Sequence, residues 1–233
     1  MKLIVETKMT DNCNDYIIKN GEFLRDFEGM YKNIVDPWNQ KKDQDSDIAV
    51  FIAFQLLRHI TNSKKLSIKS IMDIGCADGY HARKLRDLFT KDERFEYLGT
   101  DISNTVISRA KSLTKDYQFD CTFIVDDICK YNDSFLNKFD IVFSSRTLYY
   151  VAPEIDAVIH NIENYLLSNG IFCFVYNQSK DAFTSQWLTY EILRDKLIDM
   201  NFVEHSFIEL NRYSDEVTAI GVFQKKILSL LER

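Results

Sequence analysis

The residues best placed to do chemistry are seven in a row, Asp73-Ile74-Gly75-Cys76-Ala77-Asp78-Gly79, between a short apolar run and the helical spacing of Ala82, Leu85 and Leu88. A glycine turn joining a strand to a helix lets backbone approach a ligand while the first helical amides point outward. A dinucleotide fingerprint would place glycine where Ala77 and Tyr80 stand. Asp73 and Asp78 also bracket the turn, and two carboxylates would repel a pyrophosphate. They suit a ligand with a cationic tail, an ammonium and a sulfonium, whose own carboxylate meets the helix amides.

Acids recur at the next two strand-like runs. Asp101 ends Leu98-Gly99-Thr100-Asp101-Ile102, at the distance from the turn where an acid accepts hydrogen bonds from ribose hydroxyls. The following run ends Val125-Asp126-Asp127-Ile128, where one carboxylate can accept from an adenine amino group while Ile102 and Ile128 sandwich the ring. Alone, Asp101 reads as a helix cap and the Asp126-Asp127 pair as solvated charge. Their recurrence at successive strand ends points to one ligand, because ligands of open α/β sheets collect at strand carboxyl ends.

These positions require a particular set of elements. A helix is expected from a Ser46 cap to about Thr61, with Ile48, Phe51, Ile52, Leu56 and Ile60 on its buried face. Strands are expected over residues 70–74, 95–100, 121–125, 139–144 and 171–176. Helices intervene, one entered through Pro153 and stopped by Asn169-Gly170. Trp187, Leu188, Ile192 and Leu197 mark a last helix, and residues 202–210 and 216–225 read as a closing hairpin. The alternation predicts an α/β, Rossmann-like doubly wound sheet of seven strands, mostly parallel with one antiparallel strand.

Composition narrows the function further. The chain has 233 residues, 45% hydrophobic and 27% charged, enough for one packed domain. A net charge of -6 disfavours nucleic acid as a partner, since phosphate binding needs excess Lys and Arg. The longest apolar run, residues 48–54, is too short to span a membrane, so the protein is expected to be soluble and cytoplasmic, with no membrane partner. Cys13, Cys76, Cys121, Cys129 and Cys173 are scattered without ligand spacing and read as reduced thiols, with no metal site expected.

The segment Asp73 to Gly79, then Asp101, Asp127-Ile128 and the strand over 139–144 followed by Leu148-Tyr149-Tyr150, resemble in order and spacing the successive motifs of class I S-adenosylmethionine-dependent methyltransferases. The resemblance spans residues 46–226 and departs at Ala77, where many members carry glycine. It implies S-adenosyl-L-methionine as cofactor, held by Asp73, Gly75, Cys76, Ala77, Asp78, Gly79, Asp101, Ile102, Asp126, Asp127, Ile128, Ser144 and Ser145.

Within that superfamily, Tyr31 through Trp38 and Ser144-Ser145-Arg146-Thr147-Leu148-Tyr149-Tyr150 are similar to nodulation-type sugar N-methyltransferases and related small-molecule enzymes. This implies methyl transfer to oxygen or nitrogen of a small-molecule or sugar-derived acceptor, in surface-glycan or secondary metabolism. Arg146 stands where those relatives favour an acid, so an anionic acceptor is expected. Tyr31, Trp38, Arg146, Tyr149 and Tyr150 are the candidate acceptor contacts, and His81, Tyr149 and Arg146 the candidate catalytic groups. Residues 1–45 are expected to form a segment covering the active site, and 46–233 the methyltransferase domain. An NAD-dependent Rossmann-fold oxidoreductase and a macromolecule-directed methyltransferase remain as alternatives. Against a DNA-directed enzyme, Ser144-Ser145-Arg146-Thr147 replaces the Asn/Asp-Pro-Pro-aromatic motif of amino-group DNA methyltransferases.

Overall fold

A computed structural model describes residues 13–20, 22–38, 46–89, 95–179, 183–211 and 215–226. An N-terminal arm of short elements comes first: α1 (Asn14–Ile17), β1 (Ile18–Lys19), β2 (Glu22–Phe23) and α2 (Phe27–Asn33). The helix α3 (Ile48–Ser63) follows and leads into β3 (Ser70–Ile74), whose five residues are all buried, as a strand covered on both faces must be.

From there the chain runs α4 (His81–Phe89), β4 (Glu96–Asp101), α5 (Asn104–Thr114), β5 (Asp120–Val125) and β6 (Phe139–Ser145). It ends with α6 (Ile155–Tyr165), β7 (Leu166–Ser179), α7 (Tyr190–Asp199), β8 (Phe202–Leu210) and β9 (Glu216–Lys225). The seven-stranded sheet has the order β5-β4-β3-β6-β7-β9-β8. All pairs from β5 to β7 are parallel, and β9 inserts antiparallel between β7 and β8. The chain winds outward from β3 through β4 to β5, then crosses back to β6 on the other side. The switch point, where a doubly wound sheet opens a crevice, therefore lies between β3 and β6.

Alternate residues of the strands feed two core layers. Met72, Val142, Phe172 and Phe174 pack under α6 and α7, whereas Ile71, Ile141, Phe143 and Val175 pack under α3, α4 and α5. Among the described residues no helix is long and apolar enough to cross a membrane.

Some expected boundaries shift, each for a local reason. The cap of α3 is Asp47 rather than Ser46, its carboxylate accepting from the Val50 amide at 3.1 Å. The buried stripe of α3 is Ala49, Val50, Ala53, Phe54, Leu57 and Ile60, while Ile48 and Phe51 are 69% and 62% exposed. Two alanines let the helix axis approach the sheet closely, so the stripe turns toward the small residues. The last helix begins at Tyr190 behind a Thr189 cap, because Trp187 packs instead in the preceding turn on Phe183 (4.5 Å) and Phe23 (5.6 Å). α6 ends at Tyr165, ahead of the expected Asn169-Gly170 stop, and β7 starts at Leu166.

The arm is fastened to the sheet through Glu28 of α2. One carboxylate oxygen accepts from the Ser103 hydroxyl (2.6 Å) and the Thr105 amide (3.1 Å), the other from the Thr105 hydroxyl (2.8 Å). A carboxylate at a helix N-terminus satisfies amides the helix itself cannot. These donors, the Ser103 hydroxyl first, hold the Glu28 carboxyl down at about 2. Ile17, Met30 and Tyr31 then pack on Ala77 and Val106. Glu28→Ala is expected to cost about 1 kcal/mol, the usual worth of a cap. Chemical denaturation checks the loss, and limited proteolysis should cut the arm sooner than the sheet; an unchanged midpoint would show that α5 does not use this cap.

Candidate functional site

A cavity of about 870 Å³ crosses the carboxyl ends of the strands, from Asp126 and Asp127 after β5 to Leu210 at the end of β8 and Asn211 after it. That size and position are those of a small-molecule site.

The turn after β3 sets its floor. Gly75 (φ +68°), Ala77 (φ +46°) and Gly79 (φ +77°) are all left-handed. A Cβ on Gly75 would lie 2.2 Å from the Thr147 hydroxyl oxygen, so no side chain fits there. At Ala77 the left-handed backbone costs about 1 kcal/mol. Burial of its methyl among Ile17, Met30, Tyr31 and Val106 offsets about 0.8 kcal/mol of that. The departure from glycine is therefore nearly neutral, and the arm supplies the compensating contact.

Eight expected cofactor contacts lie on the wall: Gly75, Ala77, Asp101, Ile102, Asp126, Asp127, Ile128 and Ser145. Asp101 is buried, its two oxygens accepting from the Ala77 amide (3.3 Å) and the Ser103 amide (3.0 Å). Burial pushes its carboxyl up to about 6 against those two amides. Each oxygen keeps lone pairs for further donors, which suits a vicinal diol. Ile102 is 46% exposed although apolar, and Ile128 is buried. Asp127 is occupied by Lys130 (3.0 Å) and the Cys129 amide (3.1 Å). Asp126 takes the Asn132 amide nitrogen on one oxygen at 3.0 Å, and its other oxygen has no hydrogen-bond partner among the described residues.

Asp73, Cys76, Asp78, Gly79 and Ser144, grouped with these by sequence, stand behind the wall. Asp78 pairs with Arg109 at 3.3 Å, Gly79 backs onto Phe123, and Cys76 is buried in the core. The Ser144 hydroxyl donates to the Ile74 carbonyl at 3.4 Å. Asp73 is fully buried, accepts from the Tyr97 hydroxyl at 2.6 Å, and lies 3.2 Å from His81 Nδ1. His81 itself reaches the wall, edge-on to Phe54 and Phe143.

The expected acceptor contacts Tyr31, Trp38, Arg146, Tyr149 and Tyr150 all line the cavity. The Trp38 indole donates to the Tyr31 hydroxyl at 3.0 Å, and Trp38 and Phe27 both pack on Tyr150. The Arg109 guanidinium lies 5.2 Å from the Tyr31 ring centre and donates to the Val35 carbonyl, tying this part of the arm to α5. Burial raises Tyr149 to about 12, so at neutral pH its hydroxyl donates rather than removes a proton. Arg146, itself at φ +56°, forms a two-pronged ion pair with Asp47, with Nη2 to Oδ1 at 3.0 Å. Its charge is therefore shared with a carboxylate that also lines the cavity.

Sequence reasoning missed Asp47, Thr147, Asn177 and Thr218, which also line the cavity. For Asp47 the signal is an acid just before an apolar helix, one residue beyond the Ser46 expected as its cap.

Over residues 65–206 the chain matches the family of methyltransferase domains, so it belongs to that family, within the class I S-adenosylmethionine-dependent methyltransferases. Among solved structures it is similar to the N-methyltransferase NodS from Bradyrhizobium japonicum WM9, determined with S-adenosyl-L-homocysteine. Identity is 23%, the match covers 82% of this chain and 92% of that one, and the TM-score is 0.62. The PH0226 protein from Pyrococcus horikoshii OT3 is 16% identical over 86% of this chain and 100% of its own, with a TM-score of 0.63. The [4+2]-cyclase SpnF is 16% identical over 75% and 81%, with a TM-score of 0.59. At these identities the likeness is one of fold. No curated protein sequence matches the chain.

The burial of Asp101 has a consequence for stability. Its carboxyl titrates near 6 when folded, against 3.8 for an unperturbed carboxyl, so between those values the folded chain holds a proton that the unfolded chain has released. This group's contribution is fully present below pH 4 and is lost as pH rises through 6. Asp101→Asn should therefore gain on the parent protein as pH is raised from 4 to 7 in denaturant titrations of the ligand-free protein. A stability difference that stays flat over that range would place the Asp101 titration elsewhere.

Proposed function

We propose that this chain transfers a methyl group from S-adenosyl-L-methionine to an oxygen or nitrogen of a small-molecule or sugar-derived acceptor. The observation that carries the reading is the set of acceptors and apolar groups on one wall: Asp101 with spare lone pairs, Asp126 with an unpartnered oxygen among the described residues, and the Ile102 and Ile128 side chains. That set fits an adenosine, with Asp101 accepting from the ribose hydroxyls and Asp126 from the adenine amino group. The open backbone at Gly75 and Ala77 fits the methionine part. When bound, the cofactor supplies a methyl carbon already activated by a positive sulfur.

What remains for the protein is alignment and exclusion of water, and alignment alone supplies on the order of 7 to 11 kcal/mol. Tyr31 and Trp38 from the arm, resting on Tyr150, act as a cover over the acceptor side. His81 serves as the base. With its Nδ1 proton directed at Asp73, the lone pair of Nε2 is free to take the proton of an acceptor hydroxyl or ammonium, and buried Asp73 steadies the charge that results. The acidic net charge of -6 supports a small acceptor over nucleic acid, in a soluble cytoplasmic enzyme. Surface-glycan and secondary-metabolite precursors are the pools in which to look for the acceptor.

Calorimetry with S-adenosylhomocysteine should show tight binding, weakened by about 1.5 to 3 kcal/mol in Asp101→Ala as charge-assisted hydrogen bonds to the ribose are lost. Labelled-methyl incorporation into fractionated metabolites should identify the acceptor. With it, His81→Gln should lose roughly 100-fold or more in kcat and keep its cofactor affinity. Heat from NADH with none from S-adenosylhomocysteine would replace methyl transfer by the oxidoreductase reading, and an unaltered kcat would remove His81 from the chemistry.

A further inference from the structure

Asn177 on β7, Thr218 on β9 and Leu210 on β8 occupy one register row across three adjacent strands, so their side chains share a face of the sheet. The next row inward on that face, Val175, Ile220 and Ile208, belongs to the apolar layer under α3. Asn177 and Thr218 are thus the first polar side chains above the core, and both line the cavity at the end opposite Asp126 and Asp127. Ser46, Asp47 and Ile48, at the start of α3, line the same cavity.

The hydrogen-bonding capacity of this end is not used up internally. The Thr218 hydroxyl donates to the Asn177 side-chain oxygen at 3.1 Å, a bond that makes no use of the Asn177 amide N–H donors. The Thr218 oxygen keeps lone pairs to accept. Of the charged side chains lining the cavity, Asp47 and Arg146 are closed on each other in a two-pronged pair. An anion approaching Arg146 would also approach the Asp47 carboxylate bonded to it, whose repulsion offsets the attraction of the guanidinium. A group that both donates and accepts without net charge meets no such obstacle.

We infer that the half of the cavity beyond β6 is an acceptor subsite for an uncharged, polyhydroxylated group, hydrogen-bonded by Asn177 and Thr218. The inference rests on the methyltransferase reading and sharpens it, since it assigns the acceptor's recognition to residues apart from the cofactor wall. Glucose and glucose 6-phosphate are suitable probes, differing only in the charged group. S-adenosylhomocysteine is first titrated into the parent protein, Asn177→Leu and Thr218→Val, and each saturated protein is then titrated with either sugar by saturation-transfer NMR. The expected result is millimolar glucose binding by the parent protein, no tighter for the 6-phosphate, and at least tenfold weaker in both variants, with S-adenosylhomocysteine affinity within twofold throughout. Glucose signals equal in all three proteins, preference for the phosphate, or no sugar signal on a protein that does bind S-adenosylhomocysteine would overturn the subsite alone. Failure of S-adenosylhomocysteine itself to bind would instead overturn the reading it rests on.

Discussion

The site depends on a buried carboxylate that cannot be left unpaired. Asp101 ends β4 beside the switch point, and its two oxygens gather the Ala77 amide from one loop and the Ser103 amide from the next. Burying a charge without such donors is costly, so the two loops are held at fixed separation by the requirement to satisfy it. Ser103 in turn donates its hydroxyl to Glu28, so the arm is fastened to the loop that carries Asp101. One electrostatic constraint therefore sets the position of the Asp101 carboxylate at the cavity wall, the pitch of the turn after β3 and the docking of the arm.

The same coupling accounts for the backbone at Ala77. A lone left-handed alanine would be poorly tolerated in this turn, yet here its amide is claimed by Asp101 and its methyl by the arm. Local strain persists where surrounding structure over-determines it. The arm, α5 and the turn behave as one assembly, with Arg109 of α5 reaching the arm through Tyr31 and the Val35 carbonyl and the turn through Asp78. The elements that enclose the cavity are thus bonded to the loops that line it rather than merely resting on them.

How much of this the sequence disclosed follows from the range of each interaction. The strands over 70–74, 202–210 and 216–225 were readable because a fully buried strand and a closing hairpin leave local patterns, and the seven-stranded sheet followed from their alternation. The turn, Asp101 and the Asp126-Asp127 pair were readable because they sit at strand ends. The split between wall and support was not. Asp73 and Asp78 look alike in sequence, but one is sealed under His81 and under Tyr97, 24 positions away, and the other is taken by Arg109, 31 positions away. Arg146 likewise reads as a free cation until Asp47, 99 residues earlier, is placed beside it. Long-range pairing of charge is the information a linear pattern lacks.

That pairing also bears on what the fold can say about chemistry. A cyclase and an N-methyltransferase resemble this chain to nearly the same degree, with TM-scores of 0.59 and 0.62, so the sheet alone does not choose a reaction. The choice must come from the side chains over the strand ends. On the β3, β4 and β5 side these are carboxylates and branched aliphatics suited to a nucleoside, and on the β7, β9 and β8 side a neutral amide and hydroxyl. Between them stand His81, steadied from behind by Asp73, and the closed pair of Arg146 with Asp47. Under the proposed methyl transfer, such a division would let each bound molecule be held by its own chemistry, leaving alignment of the nucleophile with the methyl carbon, and loss of the acceptor's proton, to the groups between them.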